Sequence, residues 1–156
     1  MGYILNLPER KSLKSLRGGK RVKGRSLIPA KKSSMDGFSF DSETEMEYYK
    51  QVLRPKLLKC DIYQHPIVNL VPGINWKLDF LVIQRGDMLL IDVKGMRISR
   101  EAALKISLWT SFGPHELRIT KRDPHSGIFL NSEIIPPGTF EIENFVPNVL
   151  HRGKKM

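Results

Sequence analysis

Apolar residues crowd most densely between Trp76 and Gly95, WKLDFLVIQRGDMLLIDVKG. Leu78, Phe80, Leu81, Val82 and Ile83 lead into Gln84-Arg85-Gly86-Asp87, and Met88, Leu89, Leu90, Ile91 and Val93 lead out, which reads as two strands and a tight turn. Upstream, Phe38 and Phe40 alternate in an extended stretch over 37–42. Glu45, Tyr49, Val52, Leu53 and Lys56 then follow helical spacing and predict a helix over about 43–59. Ser42 as N-cap and Glu45 three residues on match a capping box, and Pro55 predicts a kink or an early end. Residues 60–70 read as a strand interrupted at Pro66, an edge position or a bulge, with Gln64 and His65 beside the break. Residues 71–75 then turn into the central hairpin.

After the hairpin, Ser99 caps a helix reaching about Phe112, with Ala102, Ala103, Ile106, Trp109 and Thr110 as its packing stripe and Gly113-Pro114 as its stop. Residues 115–121 form a further strand, and strand, helix, strand in this order permits a crossover that returns a parallel strand beside the hairpin. Beyond Arg122 come a turn at 123–127, a short strand at 128–130, a break at Pro136-Pro137-Gly138 and an alternating stretch at 140–143. These fit an accessory segment, for dimer contacts or an extra hairpin.

Three charges interrupt the central strands: Asp79, Asp92 and Lys94. Burying a charge costs several kcal/mol unless it is paired or binds a metal. Side chains alternate along a strand, so Asp92 and Lys94 share a face. If Arg85-Gly86 form the turn, Asp79 lies opposite Asp92; if Gly86-Asp87 form it, Asp79 lies opposite Lys94. Either register gathers all three on one face. Two carboxylates that close repel unless a cation sits between them, and hard oxygen ligands suit Mg²⁺ or Mn²⁺. The plain alternative is an exposed strand face carrying an Asp–Lys pair.

Charge adds a second feature. The 156 residues carry a net +10, but residues 1–35 hold ten Lys or Arg against one acid, and Arg152, Lys154 and Lys155 add three more cations. Residues 36–150 carry thirteen basic and fifteen acidic residues, a net −2. Basic ends around an acidic centre fit arms that reach for a polyanion, with Lys20, Arg21, Lys23 and Arg25 as phosphate contacts. Arg97, Arg100 and Lys105 cluster just past the hairpin and fit the same role, or an ordinary polar helix face. The lone Cys60 excludes a disulfide framework and fits a reducing cytoplasm. Neither a membrane-spanning apolar run nor a signal-peptide pattern is visible, so a cytoplasmic protein is expected. His125 and His151 lack metal-ligand spacing and read as surface residues.

A carboxylate on a first helix (Glu45), an Asp entering a hairpin (Asp79) and Asp92-Val93-Lys94 on its second strand resemble the PD-(D/E)XK nuclease superfamily. FDSETEMEYY, IYQHP, WKLDF and IDVKG, followed by a Lys-bearing helix, are similar to a group of small phage-type proteins read as endonucleases. The layout also resembles phage Holliday-junction resolvases. The resemblance covers about residues 37–121, and Leu78 stands where the motif's Pro would be. It implies an α/β fold, a restriction-endonuclease-like α/β/α core with a central mixed sheet flanked by helices. It also implies Asp79, Asp92 and the Val93 carbonyl as metal ligands, Glu45 as an outer ligand, and Lys94 orienting the attacking water. Gln64 falls where some members carry a Gln, and Lys105 where the phage-type group carries a helix Lys.

The expected organisation is a basic arm (1–35), a nuclease core (36–122) and an accessory segment with a basic tail (123–156). The expected function is Mg²⁺- or Mn²⁺-dependent DNA endonuclease, acting as a homodimer or within a larger nucleoprotein assembly. The alternative is a DNA-binding or architectural protein on a nuclease-like fold that cuts nothing. RNA cleavage ranks third, with no RNA-binding motif to support it.

Overall fold

The computed structural model describes residues 31–95, 97–139 and 150–156. Lys20, Arg21, Lys23 and Arg25 of the arm and the expected alternation at 140–143 lie outside the described residues. Within the arm as delimited from sequence, Ser33–Met35 (β1) already forms a hairpin with Phe38–Phe40 (β2). The first helix begins as its capping box predicts: the Ser42 hydroxyl accepts from the Glu45 N–H at 3.1 Å. It does not run to residue 59. Glu43–Tyr48 (α1) is α-helical, Tyr49–Leu53 is a π-turn, and Arg54–Lys56 is 3₁₀. Pro55 explains the end, because it has no N–H to continue the ladder. The wider π-turn lets consecutive Tyr48 and Tyr49 both bury their rings.

The stretch expected as one interrupted strand is two strands in two sheets. Asp61–Gln64 (β3) pairs with Phe80–Gln84, whereas Ile67–Val71 (β4) pairs with Ile74–Lys77 (β5) through a Pro72-Gly73 turn. The chain changes sheet at His65-Pro66 and returns at Leu78-Asp79. Trp76 and Lys77 therefore belong to β5, not to the central hairpin, whose first strand starts at Phe80. Phe80–Gln84 (β6) and Asp87–Lys94 (β7) pair with Gln84 opposite Asp87, which makes Arg85-Gly86 the turn. Their φ values of 52° and 90° are the left-handed pair that a type I′ turn requires.

Ser99 caps Arg100–Phe112 (α2), and Glu116–Arg122 (β8) returns parallel to β7. Phe129–Ile135 (β9) pairs antiparallel with β8, a longer hairpin than the three residues expected. Leu150–His151 (β10) joins β4, and Lys154–Lys155 (β11) joins β3. The result is a mixed α/β fold: a six-stranded mixed sheet β11-β3-β6-β7-β8-β9 beside a three-stranded sheet β10-β4-β5. No helix among the described residues is long and apolar enough to cross a membrane.

The large sheet has a core on each face. Leu78, Leu81, Leu90, Leu117 and Ile119 pack against Trp109 of α2 and against Val68, Leu70 and Trp76 of the small sheet. Phe80, Val82, Ile91 and Val93 pack on the other face against Phe40, Tyr48, Tyr49 and Leu53. Of the stripe expected on α2, Ala102 and Trp109 are buried, while Ala103 and Thr110 are exposed.

Trp109 is fully buried, stands edge-on to Trp76 at 5.8 Å, and donates its indole N–H to the His115 carbonyl at 2.9 Å. Trp109→Phe removes that donor and leaves a void. Denaturant unfolding should show a loss of about 2 kcal/mol at unchanged m.

Candidate active site

The strand registers align three residues across the large sheet. Gln64 sits opposite Phe80 and Phe80 opposite Ile91, so one step further places His65 beside Asp79 and Asp79 beside Asp92. The backbone confirms the first contact: the His65 N–H donates to the Asp79 carbonyl at 2.9 Å. The pairing with Asp79 opposite Asp92, one of the two left open by the sequence, is the one adopted. Asp79 lies in the bend before β6, and from there its carboxylate accepts a hydrogen bond from the Val93 N–H. The side chain thereby replaces a backbone partner at the point where β6 begins.

Asp92 is the more sealed of the two, with its side chain only 3% exposed. The Lys94 ammonium lies 2.8 Å from its Oδ2, yet that oxygen has no partner in hydrogen-bond geometry among the described residues. Lys94 is itself half-buried, 5.9 Å from the centre of the Trp76 ring. It helps wall a cleft of about 350 Å³ with Thr44, Gly95, Arg122 and Asp123, which gives solvent a path to this end of β7. A larger cleft of about 760 Å³ lies by the Arg85-Gly86 turn, and none of the three carboxylates lines it.

Glu45 is buried and held by its own helix start: Oε1 accepts from the Ser42 hydroxyl at 3.0 Å and Oε2 from the Asp41 N–H at 3.2 Å. The cap that the sequence predicts is therefore formed. The charge of Glu45 still bears on both aspartates. Burial pushes the Asp79 carboxyl well above the usual carboxylate range, and Asp92 and Glu45 push it further, against the Val93 N–H and Lys94. Although Asp79 keeps some surface, burial of its carboxyl remains the largest cause, with its acidic neighbours second. Burial also raises Asp92, with Lys94 as the main opposing influence.

The remaining candidates divide. Lys105 is partly buried and paired with Glu101 at 2.7 Å on its own helix, and its charge is a minor lowering influence on Asp92. Arg97 and Arg100 stand exposed at the start of α2. Gln64 is buried on the opposite face, where its Nε2 donates to the Ser39 carbonyl at 2.7 Å and pins β2 to the sheet. Val93 contributes its N–H to Asp79 and its side chain to the second core.

His65 is the residue that the sequence reading passed over. Its backbone takes the left-handed φ of 55°, uncommon for a non-glycine residue. Its buried Nε2 lies 3.7 Å from Asp41 Oδ2 and 3.8 Å from Glu45 Oε2 with no hydrogen bond. Asp41 is in turn bound by Lys77 at 2.6 Å. The only sequence signal was Pro66, which marks a break without saying what the break brings together.

As ligands, the groups fit a hard cation in part. Asp79 and Asp92 are crowded oxygen donors, and the buried Asp92 Oδ2 has the Lys94 ammonium 2.8 Å away as its compensating charge. Among the described residues, no three Asp, Glu, His or Cys stand close enough to ligate one ion together.

A carboxyl whose pKa is higher in the folded chain adds stability below its unfolded value of 3.8, and that contribution is lost as pH rises through the folded pKa. Asp79→Asn abolishes this dependence. Thermal melts of both proteins without divalent ions should show the variant gaining on wild type as pH climbs from about 4 toward 8. A constant difference would mean that Asp79 is not held above its ordinary range.

No protein-family model matches this chain, and no curated protein or solved structure matches it either, so the reading of the site rests on its own geometry.

Proposed function

We propose that this chain is a Mg²⁺- or Mn²⁺-dependent DNA endonuclease built on a restriction-endonuclease-like α/β/α core, as its resemblance to the PD-(D/E)XK superfamily implies. One observation carries the reading: two repelling carboxylates, Asp79 and Asp92, are crowded at the ends of neighbouring strands with Lys94 2.8 Å from the second. Such an arrangement gains most from a divalent cation and an anionic substrate.

Asp79 and Asp92 would hold the metal, with the Val93 carbonyl beside them and Glu45 fixing a water at the rim. When bound, the ion supplies Lewis-acid polarisation of the scissile phosphate and a more acidic attacking water. Lys94 would turn from Asp92 toward a phosphate oxygen or the attacking water, where its ammonium would donate to the developing negative charge. Lys105 moderates the acidity of Asp92 from α2. Cutting both strands of a duplex would take two such centres, hence a homodimer.

A second reading has its own support. Lys94 already neutralises Asp92 internally, as a DNA-binding protein without catalysis would allow. The two part in a cleavage assay on linear duplex, supercoiled plasmid and a four-way junction, with Mg²⁺, Mn²⁺ or EDTA. Wild type should cut only with metal, Lys94→Ala should lose about 10²–10⁴-fold, and Asp92→Asn should be at least as impaired. Saturating Mg²⁺ should also raise the wild-type melting temperature but not that of Asp92→Asn. Tight, salt-sensitive binding with no cutting of any substrate would favour the second reading.

A further inference from the structure

β7 and β8 run parallel and end together, with Lys94 paired to Lys121 and Arg122 one residue further on. The cleft of about 350 Å³ opens off these carboxyl ends, the side of an open α/β sheet on which ligands commonly bind. Lys94 belongs to the face that carries Asp92, whereas Arg122, opposite Phe129, belongs to the face of the second core. Both nevertheless line this one cleft, because it lies at the strand ends, where the two faces meet. Lys94 therefore joins the cleft to the carboxylate pair: it stands 2.8 Å from Asp92 and in the cleft wall.

Arg122 is exposed, and no carboxylate lies within ion-pair distance of it among the described residues. Its Nε–H donates to the Gly127 carbonyl at 3.3 Å. Gly127 takes the left-handed φ of +71°, and a Cβ there would stand 3.4 Å from a terminal guanidinium nitrogen. A neutral acceptor thus holds the guanidinium along the turn without cancelling its charge. Asp123, the carboxylate that lines the cleft, is engaged by its own turn. Its Oδ1 accepts from the His125 N–H at 3.3 Å, and its Oδ2 accepts from the Ser126 N–H at 3.1 Å and from the Ser126 hydroxyl. The planar fork of Arg122 is left for an anion from outside, and phosphate matches its geometry.

We infer that Arg122 binds a backbone phosphate of the DNA strand held at Asp79 and Asp92, and that this cleft is the subsite for that phosphate. This rests on the nuclease reading. Asp92 pairs with Ile119, so Arg122 stands three residues beyond its level. Three residues span about 10 Å of strand, or roughly three nucleotides at about 3.4 Å of rise each. A strand whose scissile phosphate meets Lys94 therefore carries a second phosphate, roughly two or three nucleotides away, into the cleft.

The test combines mapped cleavage in Mg²⁺ with fluorescence-anisotropy titration of a labelled duplex in EDTA over a salt series, both on the full chain. Arg122→Gln keeps a donor for the Gly127 carbonyl and removes the charge. It should reduce the magnitude of the slope of log K against log[salt] by about 0.9, one phosphate contact. Arg122→Lys should restore the slope, and both variants should melt as wild type does. A neutral methylphosphonate stepped along the cleaved strand should slow wild type most at roughly two or three nucleotides to one side of the cut. Arg122→Gln should lose that sensitivity; if it keeps it, the subsite is overturned. An unchanged slope in Arg122→Gln, beside a wild type that cuts, would overturn the subsite and leave the nuclease standing. A lower melting temperature at unchanged slope would make Arg122 a brace for its turn, which also overturns the subsite. A reduced slope in a protein whose wild type cuts nothing would overturn the nuclease reading and, with it, the alignment of the cleft on the carboxylate pair.

Discussion

Two carboxylates pressed between apolar layers set the terms for what surrounds them. Asp92 is buried in mid-sheet, and Asp79 reaches it only because the chain bends before β6. Each nearby feature answers that burial. The Val93 N–H binds the first carboxylate, Lys94 lies against the second, and Lys105 acts on it from α2. The compensation is incomplete, since burial still dominates both groups and holds both carboxyls above their ordinary range. A sheet built only for stability would do better with two leucines here.

Much of this was legible in the sequence because it is local. The Arg85-Gly86 pair supplies the positive φ values of a two-residue turn, and that turn sets the register placing Asp79 beside Asp92. Ser42 and Ser99 mark their helices through side-chain caps three residues long. Strand, helix and strand gave the parallel β7–β8 pair. What could not be read is which sheet a strand joins. Ile62, Val68 and Leu70 look alike as strand residues, yet they fall into different cores on opposite faces. Alternation reports burial on a face; it does not report the partner.

The helix after Glu43 and the histidine at 65 escaped for related reasons. The π-turn depends on Tyr48 and Tyr49 both finding room against Phe80, Phe40 and Phe129, a demand made by the assembled core. His65 occupies the left-handed region because the chain must change sheets there, and that turn delivers its ring to Asp41 and Glu45. A histidine beside a proline carries no periodic signal, so only the paired registers expose its place.

The excursion from Pro66 to Leu78 closes on itself at a neck, where Leu78 N–H meets the Pro66 carbonyl at 2.9 Å and His65 N–H meets that of Asp79. This gives insertions and deletions sharply different meanings along thirteen residues of chain. At the Pro72-Gly73 tip, added residues lengthen an exposed turn and leave the neck shut. At the neck, one added residue shifts the register, and a one-residue slip turns each following side chain to the other face of the sheet. The spacing from His65 to Asp79 can therefore drift freely by changes at the tip, while no single-residue change at the neck keeps Asp79 turned toward Asp92.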